Sequence, residues 1–174
     1  MRVGITKMYK DIADLIGLEE YEIVDPYNKN VNCDFLIISK GYKERVKMFN
    51  KNAYIFEVRS ATFKDLIESL NELKKLGLGK RDKIDESIEM LKKKERDIKS
   101  LINFKFKVNP KTEFIKRVVE DLGLEISEDG VTIAPDYVGE ADIIIETHKN
   151  LPLIERIEDR YLQIINKIKR LSHN

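Results

Sequence analysis

Apolar residues fall along this chain in three regimes: short unbroken runs up to Val58, a three-to-four-residue recurrence from Thr62 to Ile102, and short runs again from Phe104. In the first regime Arg2 to Thr6 reads as a strand, and Ile12, Ala13, Leu15 and Ile16 space out a helix closed by Gly17. Tyr21 to Val24, stopped by Asp25-Pro26, is a second strand. Phe35-Leu36-Ile37-Ile38 has no polar break, the pattern of a strand buried on both faces, and Ser39-Lys40-Gly41 ends it. A short helix through Val46 and Phe49 then leads to a strand over Ala53 to Val58. Alternating strands and helices predict a parallel α/β layer.

The second regime is helical. Thr62 with Asp65 three residues on makes a capping box, and Phe63, Leu66, Ile67, Leu70, Leu73 and Leu76 form one face, ended by Gly77 and Gly79. From Asp82 a long helix carries Ile84, Ile88, Leu91, Ile98 and Ile102 on one stripe, with Lys and Glu elsewhere. The mixed-sign faces read as solvated surface. A coiled-coil homodimer is the alternative, opposed by Glu95 at a heptad position and by a stripe of only about three heptads.

The third regime repeats the first on a smaller scale. Phe104 to Val108 is a strand, and Asn109-Pro110 pairs a cap residue with the proline favoured at the first helical position. Phe114, Ile115, Val118, Val119 and Leu122 give the helix its core face up to Gly123. Strands at Leu124 to Ser127, Val131 to Ala134 and Ala141 to Ile145 follow, with a Glu128-Asp129-Gly130 turn, and a helix from Pro152 to about Leu171 completes the pattern. The expected fold is α/β: two small Rossmann-like lobes, 1–62 and 104–174, joined by a helical segment 63–103 that holds the long backbone helix. Open α/β sheets bind ligands outside the carboxyl ends of their strands, so a cleft between the lobes is expected.

Composition narrows the function classes. Among 174 residues, 32 Lys and Arg offset 31 Asp and Glu to a net charge of +1, and the signs alternate along the chain. No polyanion-binding surface follows, and nucleic acid is not an expected partner. No run approaches the roughly 20 apolar residues of a spanning helix, so membrane insertion is not expected. The one cysteine, Cys33, allows neither an internal disulfide nor a cysteine-built zinc site. Met1 to Thr6 lacks the apolar core of a signal peptide, which predicts a cytoplasmic protein. Abundant Lys, Glu and Ile with no Trp fits a thermophilic source.

Two histidines and one cysteine assemble no Ser/His/Asp or Cys/His set, so no catalysis is expected. Gly77-Leu78-Gly79-Lys80 lacks the upstream Gly and following Ser/Thr of a phosphate loop and joins two helices. Candidate ligand-binding residues are those at strand carboxyl ends or helix caps: Thr6, Lys7, Ser39, Lys40, Arg59 and Ser60 in the first lobe, Asn109, Tyr137, Thr147 and His148 in the second. Arg59 and Lys40 offer charge to a carboxylate or phosphate. His148 is the candidate metal ligand, its other reading being an ordinary surface histidine. Tyr137 suits stacking on a flat macrocycle or packing as a lid. Cys33 is either a metal ligand or a small hydrophobe before a core strand. His173 is expected to fray with the terminus.

Several stretches resemble the helical-backbone metal receptor family, the periplasmic-type binding proteins for vitamin B12, haem and iron siderophores. Ile55-Phe56-Glu57-Val58-Arg59-Ser60-Ala61-Thr62-Phe63-Lys64-Asp65-Leu66 is similar to the family's strand, polar turn and helix. Gly79-Lys80-Arg81-Asp82-Lys83-Ile84 resembles the re-entry into its lobe-connecting helix. Cys33 to Ile38 and Ala141 to Ile145 resemble corresponding strands of the two lobes, and Phe114 to Gly123 the second-lobe helix. The first turn departs, carrying Lys7-Met8-Tyr9-Lys10-Asp11 in place of a Pro and a Thr-Glu pair, and only Asp11 keeps the acidic character used to dock a permease. The resemblance implies a shortened, unexported binding protein for a small-molecule ligand, a corrinoid, haem or iron chelate, with an ABC permease doubtful as partner. A small cofactor- or nucleotide-biosynthesis enzyme and an assembly protein with a vestigial cleft are the alternatives.

Overall fold

Short apolar runs become strands because each loses little side-chain freedom on a pleated surface and gains burial on both faces. In the computed structural model, which describes residues 1–172, Val3–Thr6 forms β1, Glu22–Val24 β2, Phe35–Ser39 β3 and Tyr54–Val58 β4. All pair in parallel in the order β2-β1-β3-β4, with Val3 opposite Phe35 and Phe35 opposite Tyr54. The sheet centre is apolar throughout: Ile5, Leu36, Ile37 and Ile38 are fully buried. Gly4 is needed there, because a Cβ would stand 2.8 Å from Cys33, Leu36 and Val24.

The intervening helices are α1 (Ile12–Ile16), α2 (Lys43–Phe49), α3 (Phe63–Lys75) and α4 (Arg81–Lys99), with a 3-10 turn over Lys7–Tyr9. The apolar face read from α3 is buried at Phe63, Leu66, Ile67, Leu70 and Leu73, whereas Leu76 beyond its end is exposed. Gly79 holds a left-handed φ of +77°, and any Cβ there would meet the Ile16 carbonyl oxygen at 2.3 Å. That approach lets Lys80 N–H donate to the same carbonyl at 2.7 Å and starts α4, while Ser87 Oγ ties α4 to the Leu15 carbonyl. Residues 1–60 and 64–91 make one unit, so α3 and the first half of α4 pack with this sheet.

The second unit takes residues 61–63 and Lys92 onward. Its strands are β5 (Lys107–Pro110), β6 (Glu125–Ile126), β7 (Val131–Pro135) and β8 (Ile143–Ile145), all parallel in the order β6-β5-β7-β8. Helices α5 (Glu113–Asp121) and α6 (Leu153–Ser172) accompany them. Tyr161 of α6 is fully buried, 5.1 Å from the Phe63 ring, and its hydroxyl donates to the Asp121 carboxylate. Burial and that bond push its pKa up.

The two-lobed α/β architecture with a long helix agrees with the sequence pattern, and the stripe Ile84, Ile88, Leu91 and Ile98 is buried within the chain, not offered to a second copy. One boundary is corrected. Asn109 and Pro110 lie in β5, opposite Thr132 and Ile133, instead of opening a helix. The ladder outweighs the cap signal: Lys111 N–H donates to the Ile133 carbonyl at 2.9 Å, and Pro110 needs no donor on the other side because β6 has ended at Ile126. Thr112 caps α5, its hydroxyl accepting from Ile115 N–H at 3.2 Å. His173 lies outside the described residues.

Candidate functional site

Parallel strands put their carboxyl ends on one edge, which gathers six of the expected residues in the first unit. Thr6 ends β1, Lys7 opens the 3-10 turn, Ser39 ends β3 with Lys40 next, and Arg59 and Ser60 follow β4. Ser60 Oγ lies 3.4 Å from the Tyr9 hydroxyl. Thr6 is 4% exposed, and its Oγ1 has no hydrogen-bond partner among the described residues. Lys40 is exposed and forms no ion pair among them.

Arg59 is less available than its sequence position implies. Its guanidinium meets Glu68 and Glu72 of α3 at 3.4 and 3.3 Å, while Ser69 Oγ accepts from its N–H at 3.0 Å and donates to its carbonyl at 3.2 Å. Ser69, fully buried on the apolar face between Leu66 and Leu73, is a structural neighbour of Arg59 that the sequence reading missed. A small polar residue on that face was the available signal.

In the second unit Tyr137 stands 69% exposed after β7, and Thr147 and His148 follow β8. Asp136 accepts from Thr147 N–H at 3.0 Å and from its hydroxyl, which holds the Asp136 carboxyl below the ordinary range. His148 lies between two carboxylates: Nδ1 is 2.8 Å from Asp159 and Nε2 3.2 Å from Glu146. These partners, the Glu146 bond first, raise the pKa of the imidazole and favour its doubly protonated form. A ring protonated on both nitrogens has no lone pair for a metal. Gln163 steadies the cluster, donating to Asp159 and to the Glu146 carbonyl and accepting from Glu146 N–H. Asn109 stands apart, inside β5, its amide donating to the Glu128 carbonyl at 3.3 Å.

Cys33 is buried and free, its thiol pKa pushed up by burial and then by Glu22. It therefore behaves as a small hydrophobe more than as a ligand. Among the described residues no three His, Cys, Asp or Glu side chains form a group that could hold a metal ion.

Two α/β units with parallel sheets and long helices make the architecture of the class III solute-binding proteins. FpvC of Pseudomonas aeruginosa in complex with Ni2+ is similar with a TM-score of 0.66 and 12% identity over 98% of this chain and 97% of that one. The periplasmic vitamin B12 binding protein BtuF of Vibrio cholerae is similar with a TM-score of 0.60 and 10% identity over 99% and 98%. The chain belongs to the MJ0786 family: residues 4–95 match its N-terminal domain and residues 104–173 its C-terminal domain. The MJ0786 protein of Methanocaldococcus jannaschii is 66% identical over 177 residues, 98% of this chain and 95% of that protein.

The cytoplasmic expectation is corrected by this likeness, since BtuF, similar over nearly the whole chain, is a periplasmic protein. A missing apolar core in the first few residues was too local a feature to decide location. No helix of the described residues is long and apolar enough to cross a membrane.

Proposed function

We propose that this protein is a non-catalytic receptor for a small metal chelate of the corrinoid, haem or iron-siderophore type, held by residues at the carboxyl ends of its strands. The observation that carries the reading is Thr6 Oγ1 at the carboxyl edge of the first sheet, the one buried side-chain polar atom among the described residues that has no hydrogen-bond partner. Leaving such a hydroxyl unpaired costs about 1–3 kcal/mol, which a ligand oxygen or nitrogen would offset. Lys7, Ser39, Lys40 and Ser60 on the same edge supply further donors suited to the carboxylate or amide periphery of a chelate.

A chelate is favoured over a bare ion because it brings its own metal ligands, which no cluster of three side chains supplies among the described residues. Taken by itself, the second unit carries a separate candidate surface, where the Tyr137 ring is exposed and Thr147 and His148 follow β8. In this reading His148 acts as a cationic donor. Metal ligation by it requires loss of a proton, and so higher pH.

The test is a thermal-shift screen with cyanocobalamin, haemin and ferric siderophores against Ni2+, Mn2+ and Zn2+ salts and ATP. A chelate at a hundred times its Kd is expected to add about 2.7 kcal/mol to stability. Thr6→Val, which keeps the shape and removes the hydroxyl, should weaken that chelate, whereas Lys93→Ala should not. Stabilisation by bare ions alone, or turnover of ATP, overturns the reading.

A further inference from the structure

We infer that the open edge of β4 is a docking site for an extended acidic peptide segment of a partner protein, added to the first sheet as a fifth strand. β4 is the last strand of its sheet, and Tyr54 N–H points inward, donating to the Asp34 carbonyl. Backbone alternation therefore turns the N–H and C=O groups of Ile55 and Glu57 outward, where no strand pairs with them.

The second sheet shows what a closed edge looks like in this chain. In β8 the Ile144 carbonyl points outward, and Lys167 of α6 reaches over and donates to it. One helical turn before Lys167, Gln163 holds both backbone groups of Glu146, just as Ser69 of α3 holds both of Arg59. Each gripped residue directly follows its edge strand, so Glu57 corresponds to Ile144, two residues before the grip, and Leu73 to Lys167, four residues after the gripping side chain. Leu73 is fully buried and apolar and cannot plug the edge. A lysine across a strand edge is a recognised block to strand addition; in the first sheet Lys47 of α2 donates to the Ala53 carbonyl at 2.6 Å, ahead of β4, and leaves Ile55 and Glu57, the place matching Ile144, uncovered.

A groove of 560 Å³ runs along this unblocked edge, lined by Lys40, Lys43, Tyr54, Glu57, Lys75 and Leu76 among others. Its charge selects the occupant. Lys40, Lys43 and Lys75 are exposed and form no ion pair among the described residues, whereas Glu57 accepts from Gly41 N–H and Glu72 is engaged by Arg59. Tyr54 and Leu76, 52% and 47% exposed, offer apolar surface to alternate side chains. Main-chain bonds would supply affinity and the lysines a preference for acidic sequence. The inference rests on the edge and groove of one unit; the groove shares Lys40 with the proposed chelate site, and the variants that test it leave Lys40 in place.

The probe is a fluorescein-labelled peptide of about seven residues alternating Glu and Val, roughly the length of a strand, titrated into the full chain with anisotropy as readout. Saturable binding is expected, weakened roughly tenfold or more by Lys43→Glu/Lys75→Glu. A Lys/Val counterpart should not bind. The same Glu/Val peptide N-methylated at alternate residues, which cannot form the ladder, should lose binding without any change to the protein. Failure of the acidic peptide to bind overturns the inference. So do equal binding of the N-methylated peptide, displacement by millimolar inorganic phosphate, which would mark a small-anion site, and a homodimer whose β4 amides resist hydrogen exchange, which would assign the edge to a second copy. Chelate binding is read separately in the thermal-shift screen, so either proposal can fail alone.

Discussion

The two sheets share strand order, parallel sense and even the side-chain grip after the edge strand, but they are stabilised differently. The first is apolar through its centre, with β1 buried along its whole length and β3 along all but its last residue. The second has partly exposed strands and a shorter edge strand, three residues in β8 against five in β4, and polar staples supplement its burial. Thr132 and Asp142 exchange hydrogen bonds, Asp142 N–H donating to Thr132 Oγ1 at 2.8 Å while its carboxylate accepts from Thr132 N–H at 3.0 Å. Asp136 and Thr147 form a similar staple. One topology is thus held mainly by transfer of apolar surface in one copy and more by charge-assisted hydrogen bonds in the other. The first should respond to cavities, the second to pH.

The largest expected effect breaks the apolar copy. Leu36→Ala, in the middle of β3, should cost about 2–5 kcal/mol, with faster hydrogen exchange across β1, β3 and β4 in mass spectrometry. A loss spread evenly over both sheets would mean that their stabilities are not separable. Next come the paired grips. Ser69→Ala leaves two Arg59 backbone groups unpaired beside a buried site and should cost about 1–3 kcal/mol, whereas Gln163→Ala, with solvent to replace it, should cost about 1 kcal/mol or less.

Acid should sharpen the contrast. The Asp129, Asp136 and Asp142 carboxyls are held low, chiefly by hydrogen bonds from Ser127, Thr147 and Thr132. Their contribution is complete above the ordinary value of 3.8 and is lost as pH falls through their depressed folded values. Segment-resolved exchange between pH 5 and pH 3, corrected for intrinsic rates, should show the second unit loosening before the first. Equal loosening would remove the polar staples as the distinction. The smallest effect has the opposite sign: His148 is raised from 6.5, so its contribution is complete below that value and is lost as pH rises through its folded pKa. An NMR titration of His148 should show a raised midpoint that returns toward 6.5 in Asp159→Asn.

Much of the fold was legible because the signals are local. Phe35 to Ile38, a short unbroken apolar run stopped by Ser39-Lys40-Gly41, has the length and pattern of a doubly covered strand, and Gly17 and Gly77 end helices through their own backbone freedom. Asn109-Pro110 misled for a related reason: the pair is a genuine helix-start signal, but a ladder partner at Ile133, distant in sequence, held it in β5. The candidate edge residues were legible as positions and not as chemistry. Arg59 and His148 read as free groups because Glu68, Glu72, Glu146, Asp159 and Gln163 are unmarked among a chain's many acids and amides.

The sequence by itself determined the alternation of strand and helix, the placement of the long helix and the loops that follow each strand, since these depend on periodicity and on residues within a turn of one another. Only the tertiary structure decided the order of the strands, the orphaned Thr6 hydroxyl, the clamp on His148, and which sheet edge Lys167 closes and which stays open. Each of those depends on groups brought within hydrogen-bond distance across tens of residues, a relation that no local pattern of apolar and polar positions encodes.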